Sequence, residues 1–264
     1  MNRIDEVFQT LRNQRAALMP YLPLGYPTLA ASHDLICAAQ DAGANMLELG
    51  IPFSDPLADG PVIQHATQAA LENGMDLGKC LDMVQDVRDH GVTIPLILMG
   101  YYNPLLRYDV KKFARDAFEA GADGVIAPDV PVEEAEELKH ALHAQELHLI
   151  LLAAPTSSDE RLRKIGKSTR GFLYLVSLTG VTGARAGVPA GLEEFIKRAR
   201  AATDKPVCVG FGIADAASAK RVAELADGVI VGSALVQKIG DASNAVENAR
   251  QFIGELWQAI HQKS

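Results

Sequence analysis

The sequence predicts an α/β fold, namely a single (β/α)8 (TIM) barrel with an extra N-terminal helix. Eight short apolar runs end in Gly, Pro or Asp, and stretches with helical periodicity separate them. Continuous runs of Val, Ile and Leu are typical of parallel strands that are buried on both faces. Eight such units in 264 residues fit a closed barrel better than the alternative, an open doubly wound sheet. No GxGxxG motif follows the first run, which further weakens that alternative.

The elements follow one another in a regular order. Residues 1–20 mix charged and apolar residues at helical spacing, which indicates an amphipathic helix and not a signal peptide. The predicted strands are Leu18–Gly25, Met46–Gly50, Ile94–Tyr101, Gly124–Asp129, His148–Pro155, Gly171–Leu178, Pro206–Ile213 and Gly228–Leu235. The predicted helices with charged outer faces are Ala30–Ala42, Asp109–Ala120, Val132–Gln145, Asp159–Ser168, Leu192–Thr203 and Ala214–Ala226. No linker rich in Ser, Gly or Pro interrupts the pattern, so we expect one domain over residues 1–264.

Composition excludes several classes of function. The formal net charge is -8 and the pI about 5.4, so no global positive field attracts a nucleic acid or an anionic membrane. An anionic substrate therefore needs a local site. Cys37, Cys80 and Cys208 are widely spaced and form no CxxC motif, which predicts reduced thiols in a cytoplasmic protein. No apolar run approaches the roughly 18 residues of a membrane span.

Two long connections follow predicted strands at the end of the barrel where such folds carry their chemistry. The first is the loop Ile51–Pro61 after the second strand, which contains three prolines. The second is the glycine-rich segment TGVTGARAGVPAG, which begins at Thr179 after the sixth strand. Functional residues are therefore expected in these two loops.

Glycine-rich turns end the sixth, seventh and eighth predicted strands. They are GVTG at 180–183, GFG at 210–212 and GS at 232–233. Backbone amides approach a phosphate closely where no Cβ intrudes, and a helix N-terminus favours negative charge. A plain alternative is that these glycines only end strands. Three such turns on adjacent strands favour a phosphate site, to which Ser233 adds a hydroxyl donor.

Two acidic residues are candidates for acid–base chemistry. Side chains alternate along a strand, so Leu47 and Leu49 face the helices and Glu48 faces the barrel mouth. Desolvation there raises the pKa of a carboxyl group, which suits proton transfer near neutral pH. The alternative is a structural glutamate with a buried partner. Asp59 follows prolines that stiffen the loop and can fold back towards Glu48, whereas its rival Asp55 better suits a turn or a partner contact.

Further residues near strand ends are candidates for an apolar pocket, although each alone is more typical of core packing. Asp129 ends the fourth predicted strand and is ambiguous, because it could serve only to orient neighbouring loops. No lysine ends a predicted strand, which argues against a Schiff-base aldolase, and no His or Asp cluster suggests a metal. The candidate lining residues are Tyr21, Ile63, Met99, Tyr101, Ile126 and Tyr174.

Four motifs together resemble those of a known family. They are LELGIPFSDPLADGP at 47–61, IAPDVPVEE at 126–134, YLVSLTGVTGAR at 174–185 and VGFGI at 209–213. Over essentially its whole length the chain is similar to the α subunits of tryptophan synthase. The resemblance implies a lyase of tryptophan biosynthesis that cleaves indole-3-glycerol phosphate to indole and glyceraldehyde 3-phosphate by a retro-aldol reaction.

The resemblance also implies roles for single residues. Glu48 would transfer the proton to C3 of the indole ring, and Asp59 would stabilise the resulting cation through the ring nitrogen. Tyr21 and Tyr174 would line the indole pocket, and Thr182 would orient Asp59. The phosphate would be held by Gly183, Gly212, Gly232 and Ser233, with Gly210 and Phe211 in the same turn.

The resemblance implies a partner as well. A β subunit would form an α2β2 heterotetramer with this chain, contact Pro52, Phe53 and Asp55, and carry the pyridoxal phosphate, so that this chain holds no cofactor. Two alternatives remain: another barrel of the same pathway, such as indole-3-glycerol phosphate synthase or phosphoribosylanthranilate isomerase, and a regulatory binding subunit without chemistry.

Overall fold

The computed structural model describes residues 1–12, 15–176, 191–210, 212–240 and 242–261. Nine strand segments lie in this part of the chain. In chain order they are β1 (Ala17–Pro23), β2 (Leu47–Gly50), β3 (Leu96–Met99), β4 (Gly124–Ile126), β5 (His148–Ile150), β6 (Leu152–Ala153), β7 (Leu173–Leu175), β8 (Val207–Val209) and β9 (Gly228–Val231).

Helices lie between most of the strands, and six of the twelve α-helices in the described part of the chain begin at a residue whose side chain accepts a backbone N–H. Asp76, Ser158 and Asp215 cap helices in this way. The first six helices are α1 (Arg3–Leu11), α2 (Leu29–Asp41), α3 (Pro61–Glu72), α4 (Leu77–Asp89), α5 (Tyr102–Tyr108) and α6 (Val110–Glu119). The others are α7 (Glu136–His143), α8 (Asp159–Ser168), α9 (Leu192–Ala202), α10 (Ala216–Ala223), α11 (Ser233–Ile239) and α12 (Ala245–His261), with a short 3-10 turn over Ala242–Asn244.

The strands form a parallel barrel. Their order is β5-β4-β3-β2-β1-β9-β8-β7-β6, and each described pairing is parallel. Leu151 alone separates β5 from β6, so the chain itself connects the two ends of the sheet. The fifth predicted strand is thus divided in two. The Leu151 carbonyl still accepts the Tyr174 N–H at 3.2 Å, which continues the ladder across the break.

Several boundaries differ from the sequence prediction. The strands are shorter than the apolar runs, because the residues at the end of each run already belong to loops at the barrel mouth. The helix predicted over Val132–Gln145 begins only at Glu136, after turns. Helix α5 was not predicted, and it follows directly on the loop after β3. None of the described helices combines the length and apolar character needed to cross a bilayer.

The core has two layers. Residues such as Met46, Ile97 and Cys208 fill the barrel interior, and residues such as Leu47 and Leu49 pack between the sheet and the helices. The alternation predicted for the second strand is therefore confirmed.

Helix α1 closes the end of the barrel opposite the mouth. Its Ile4 is fully buried among the interior residues, and the Phe8 ring lies 5.9 Å from the Phe172 ring. Asp5 lies 2.9 Å from His148 Nε2. The extra N-terminal helix is thus an integral part of the barrel core.

A buried ionic cluster joins this end of the barrel to its helices. The carboxylate of Asp123 accepts from Arg88 at 2.7 Å and from Arg3 at 2.9 Å, and also from the Leu96 N–H at 2.8 Å. Arg88 donates further to the carbonyls of Gly121, Val92 and Ile94. Burial lowers the pKa of Arg88 to about 10, and Asp123 counteracts part of that shift.

We expect Asp123→Ala to lower the free energy of unfolding by about 3–5 kcal/mol, because it leaves the buried Arg88 cation without its counterion. Urea unfolding of the wild type and of the Asp123→Ala variant measures the difference. Asp204→Ala is the control, since the Asp204 side chain is 87% exposed in its pair with Lys205 and exposed ion pairs contribute little to stability. Equal effects of the two substitutions would contradict this account.

Candidate functional site

The C-terminal ends of the strands form the barrel mouth, and Glu48 lies on its inner wall. Glu48 is 1% exposed and pairs in register with Tyr21 of β1 and Ile97 of β3. Its Oε1 is buried and has no hydrogen-bond partner among the described residues. Burial raises the pKa of Glu48 to about 8, the negative charge of Asp59 adds to the shift, and the Tyr174 hydroxyl opposes it as a donor. Glu48 is therefore mostly protonated at neutral pH.

Asp59 reaches the same mouth from the loop after β2. The Tyr101 hydroxyl lies 3.2 Å from Asp59 Oδ2, and the Ala58 N–H donates to the same hydroxyl at 2.9 Å. The Asp59 N–H donates to the Pro56 carbonyl at 3.0 Å, which holds the loop in a turn. Burial raises the pKa of Asp59 to about 6, and Tyr101 opposes the shift. Near pH 7 the site therefore holds one protonated and one ionised carboxyl group.

Two tyrosines flank Glu48, and each lies over a glycine. A Cβ on Gly50 would lie 2.2 Å from the Tyr21 hydroxyl, and a Cβ on Gly210 would lie 2.3 Å from the Tyr174 hydroxyl. Burial raises the pKa of both tyrosines, with contributions from the charge of Glu48, so they remain neutral donors at ordinary pH. The two glycines thus provide the space that brings these rings into the mouth.

A small cavity opens beside these residues. It is lined by Tyr21, Asp59 and Tyr101, together with Met99 and Phe53. This arrangement brings together candidates from three separate stretches of the sequence.

Thr67 also lines this cavity, although it lies in none of the sequence motifs described above. Thr67 is buried on α3, one helical turn after Ile63. The signal that could have revealed it is the i, i+4 spacing to Ile63, which puts both on one face of the helix. Ile63 itself is 5% exposed and packs in the outer core layer.

Asp129 and the residues expected to contact a partner differ in their exposure to solvent. Asp129 is exposed, and its two carboxylate oxygens lie 3.0 and 3.1 Å from the Tyr102 nitrogen, whose N–H they accept. This contact joins the loop after β4 to the start of α5. Of the residues expected to contact a partner, Pro52 is buried, Phe53 is half-buried with its ring 5.4 Å from that of Tyr101, and Asp55 is exposed.

The candidates for phosphate binding lie at the ends of β8 and β9. Gly210 follows β8 and donates its N–H to the Leu175 carbonyl at 3.1 Å. Gly212 has φ +73°, a conformation that favours glycine. Gly232 caps α11, and Ser233 is its first residue. Thr182, Gly183 and Phe211 lie outside the described residues, so their places stay predictions.

Comparison with known proteins identifies relatives over nearly the whole chain. The model of the family described as tryptophan synthase alpha chain matches residues 8–263. The tryptophan synthase alpha chain of Chloroflexus aggregans is 49% identical over 262 residues, which are 98% of each chain. That of Geobacter sulfurreducens is 46% identical over 264 residues, which cover 98% of this chain and 99% of the relative.

Solved structures agree with these matches. A chain of Mycobacterium tuberculosis tryptophan synthase superposes with a TM-score of 0.92 at 40% identity and covers 99% of each chain. Tryptophan synthase subunit alpha from Legionella pneumophila gives a TM-score of 0.92 at 40% identity over 98% of each chain. The predicted barrel class is thereby confirmed.

Proposed function

Since the chain belongs to the tryptophan synthase alpha chain family and is a lyase of tryptophan biosynthesis, we propose that Glu48 and Asp59 carry out its cleavage of indole-3-glycerol phosphate. The products are indole and D-glyceraldehyde 3-phosphate. The observation that carries the assignment is the pair of carboxyl groups with different pKa values, about 8 and about 6, at one barrel mouth.

Glu48 acts first as an acid and then as a base. Its carboxyl group donates a proton to C3 of the indole ring, which turns the ring into a leaving group with positive charge at the nitrogen. The resulting carboxylate takes the proton of the side-chain hydroxyl next to C3. The bond between the ring and the side chain then breaks, its electron pair returns to the indole, and an aldehyde forms.

Asp59 stabilises the positive charge that develops on the indole ring during these steps. Its ionised carboxylate accepts the N–H of the indole ring and offsets the positive charge at the nitrogen, an interaction that strengthens towards the transition state. The hydrogen bond from Tyr101 holds the carboxylate over the mouth.

The remaining predicted contacts complete the proposed substrate site. Tyr21, Tyr101, Tyr174 and Ile63 border the indole, and Asp129 orients the adjacent loop. The phosphate binds the backbone at the strand ends, where Gly212 and the start of α11 favour close approach of an anion. The phosphate residues are Gly183, Gly212, Gly232 and Ser233, with Gly210 and Phe211 in the same turn, and Thr182 orients Asp59.

A direct assay tests the proposed reaction. Purified protein is incubated with indole-3-glycerol phosphate, and free indole is followed. Release of indole supports the cleavage, whereas another barrel of the pathway or a regulatory subunit would release none. An absence of indole even with a β subunit added would reject the proposal.

We further propose that a β subunit binds beside the mouth in an α2β2 complex and supplies the pyridoxal phosphate. Leu57 in the same loop is 93% exposed, and it lies near Pro52, Phe53 and Asp55, the residues assigned to this contact. An exposed apolar side chain next to the catalytic loop fits a contact that couples the partner to catalysis. The same proposal treats the chain as a single barrel domain. It also includes a cytoplasmic location, which the three free cysteines suggest.

We expect kcat/KM for cleavage to depend on pH as a bell with apparent pKa values near 6 and 8. Activity rises as Asp59 ionises, since the anion is needed, and falls as Glu48 loses its proton. The two charges interact, so the apparent pKa values belong to the pair. Steady-state rates from about pH 5 to about pH 9 check this, and a rate that keeps rising above about pH 8 would contradict the acid role of Glu48.

Gly50→Ala should lower kcat by about 10²-fold, because the new methyl group displaces the Tyr21 ring beside Glu48. Kinetics with indole-3-glycerol phosphate measure the effect. Gly254→Ala is the matched control, since a Cβ at Gly254 meets no atom within 4 Å. Equal rates for the two variants would show that a methyl group at position 50 does not disturb the Tyr21 ring.

A further inference from the structure

A second group of titratable side chains lies between α2 and α4. His33 projects from α2, and Asp86 and His90 come from the last turn and C-cap of α4. Each residue offers one ligand atom, and these atoms lie within 4.8 Å of one another. Asp86 and His90 are four positions apart and share a helix face. His33 is far from them in the sequence, so local spacing does not reveal this cluster.

His33 is oriented by a neighbouring carboxylate. Its Nδ1 lies 3.2 Å from Asp34 Oδ1, and donation of the Nδ1–H to that oxygen leaves a lone pair on Nε2. Nε2 is shielded from solvent and has no hydrogen-bond partner among the described residues. It lies 3.4 Å from Asp86 Oδ2. In that tautomer two electron-rich atoms face each other, an arrangement that a cation between them would stabilise.

His90 is oriented in a similar way. Its Nδ1 lies 2.8 Å from the backbone carbonyl of Asp86, which can only accept, so the Nδ1–H donates there and Nε2 keeps its lone pair. The His90 ring stands edge-on to the His33 ring, with the centroids 5.0 Å apart. The His90 Nδ1 also lies 3.4 Å from Asp86 Oδ1, so both imidazoles lie beside this carboxylate.

We propose that His33, Asp86 and His90 form a binding site for a divalent transition-metal ion such as Zn²⁺. Two imidazoles and one carboxylate suit Zn²⁺, Cu²⁺ or Ni²⁺, and they offer too few oxygen atoms for Ca²⁺ or Mg²⁺. The site borders an open groove that Asp34 and Asp82 also line. Water can therefore complete the coordination. The carboxylates of Asp34, Asp82 and Asp86 outnumber the one lysine of the groove, Lys79, so the groove as a whole attracts a cation.

The expected consequence is a link between the two helices. A metal that binds the folded state and not the unfolded chain stabilises the fold in proportion to its occupancy. The site is built from helices on the outside of the barrel. Metal binding and thermal stability can therefore be measured without reference to cleavage activity.

Zn²⁺ binding to the untagged chain tests the proposal, by competition with a chromophoric chelator and by thermal unfolding with and without Zn²⁺. Cys37 lies one turn after His33 on α2, so all variants carry Cys37→Ser to exclude thiol binding. We expect one Zn²⁺ per chain and a higher Tm with Zn²⁺. His33→Ala and Asp86→Asn should each weaken binding by at least about 10-fold and remove the Zn²⁺-dependent rise in Tm.

Two further variants sharpen the result. Asp34→Asn should weaken binding by about 10–100-fold, because it removes the carboxylate that orients His33. His65→Ala is the control, since His65 is exposed on α3 and should bind Zn²⁺ as the parent does. Unfolding without metal shows that each variant is folded. Undiminished binding by folded His33→Ala, or loss on removing His65, would overturn the proposal, as would equally tight binding of Mg²⁺.

Discussion

A Glu48→Gln variant is expected to lose about 10²–10⁴-fold or more of the cleavage rate and to bind indole-3-glycerol phosphate almost normally. The amide keeps the size and the burial of the glutamic acid side chain. It cannot donate a proton to the indole ring or take one from the hydroxyl group. In the proposed mechanism Glu48 acts on the reacting atoms and the phosphate is held elsewhere, so kcat should fall and the Kd of the substrate should change little.

Rapid-quench measurement of indole together with equilibrium binding of substrate separates these two quantities. Glu247→Gln serves as the control, because Glu247 is exposed on α12 and should leave both unchanged. A Glu48→Gln enzyme with normal turnover would refute the assigned role. A large loss of substrate binding would instead indicate a structural glutamate.

The same variant should also change stability in a pH-dependent way. Burial raises the pKa of Glu48 from 4.5 to about 8, so the folded state favours the protonated form. The stabilisation of the wild type that comes from this proton is complete below about pH 4.5 and is lost as the pH rises through about 8. Glutamine does not titrate, so the stability of the variant relative to the wild type should increase across this range. Urea unfolding at a series of pH values checks the sign.

Asp59→Ala is expected to lower kcat by about 10²–10³-fold, because in the proposed mechanism it removes the anion that offsets charge on the indole nitrogen. The effect should be concentrated in kcat, since the charge exists only after C3 is protonated. Asp59→Asn should be intermediate, because the amide oxygen still accepts the ring N–H without its full charge. Single-turnover cleavage by the three proteins gives this order of rates.

Asp204→Ala again provides the control, since Asp204 is exposed in the loop before β8. Loss of the carboxylate at position 59 should also lower the pKa of Glu48, because the charge of Asp59 contributes to raising it. The basic limb of the pH profile should therefore move to lower pH in the residual activity of Asp59→Asn. An unshifted limb would show that the two carboxyl groups do not interact.

The sequence by itself determined the barrel class and the direction of Glu48. The direction of Glu48 follows from the alternation of side chains along a strand. The barrel class follows from the repetition of short buried apolar runs separated by helical stretches. The loop Ile51–Pro61 and the glycines after β8 and β9 were also identifiable, because proline and glycine restrict or permit backbone conformations locally. The resemblance of long motifs then added the reaction.

Only the tertiary structure decided the environment of these residues. The pKa of Glu48 depends on burial and on Asp59, the position of Asp59 depends on Tyr101, and the place of Tyr21 depends on the absence of a side chain at Gly50. The hydrogen bond from the Tyr174 N–H to Leu151, which lies between β5 and β6, and the cluster of His33 with α4 are likewise contacts between distant segments. Local patterns report the direction of a side chain, whereas its partners, its desolvation and therefore its chemistry arise only when the chain has brought remote residues together.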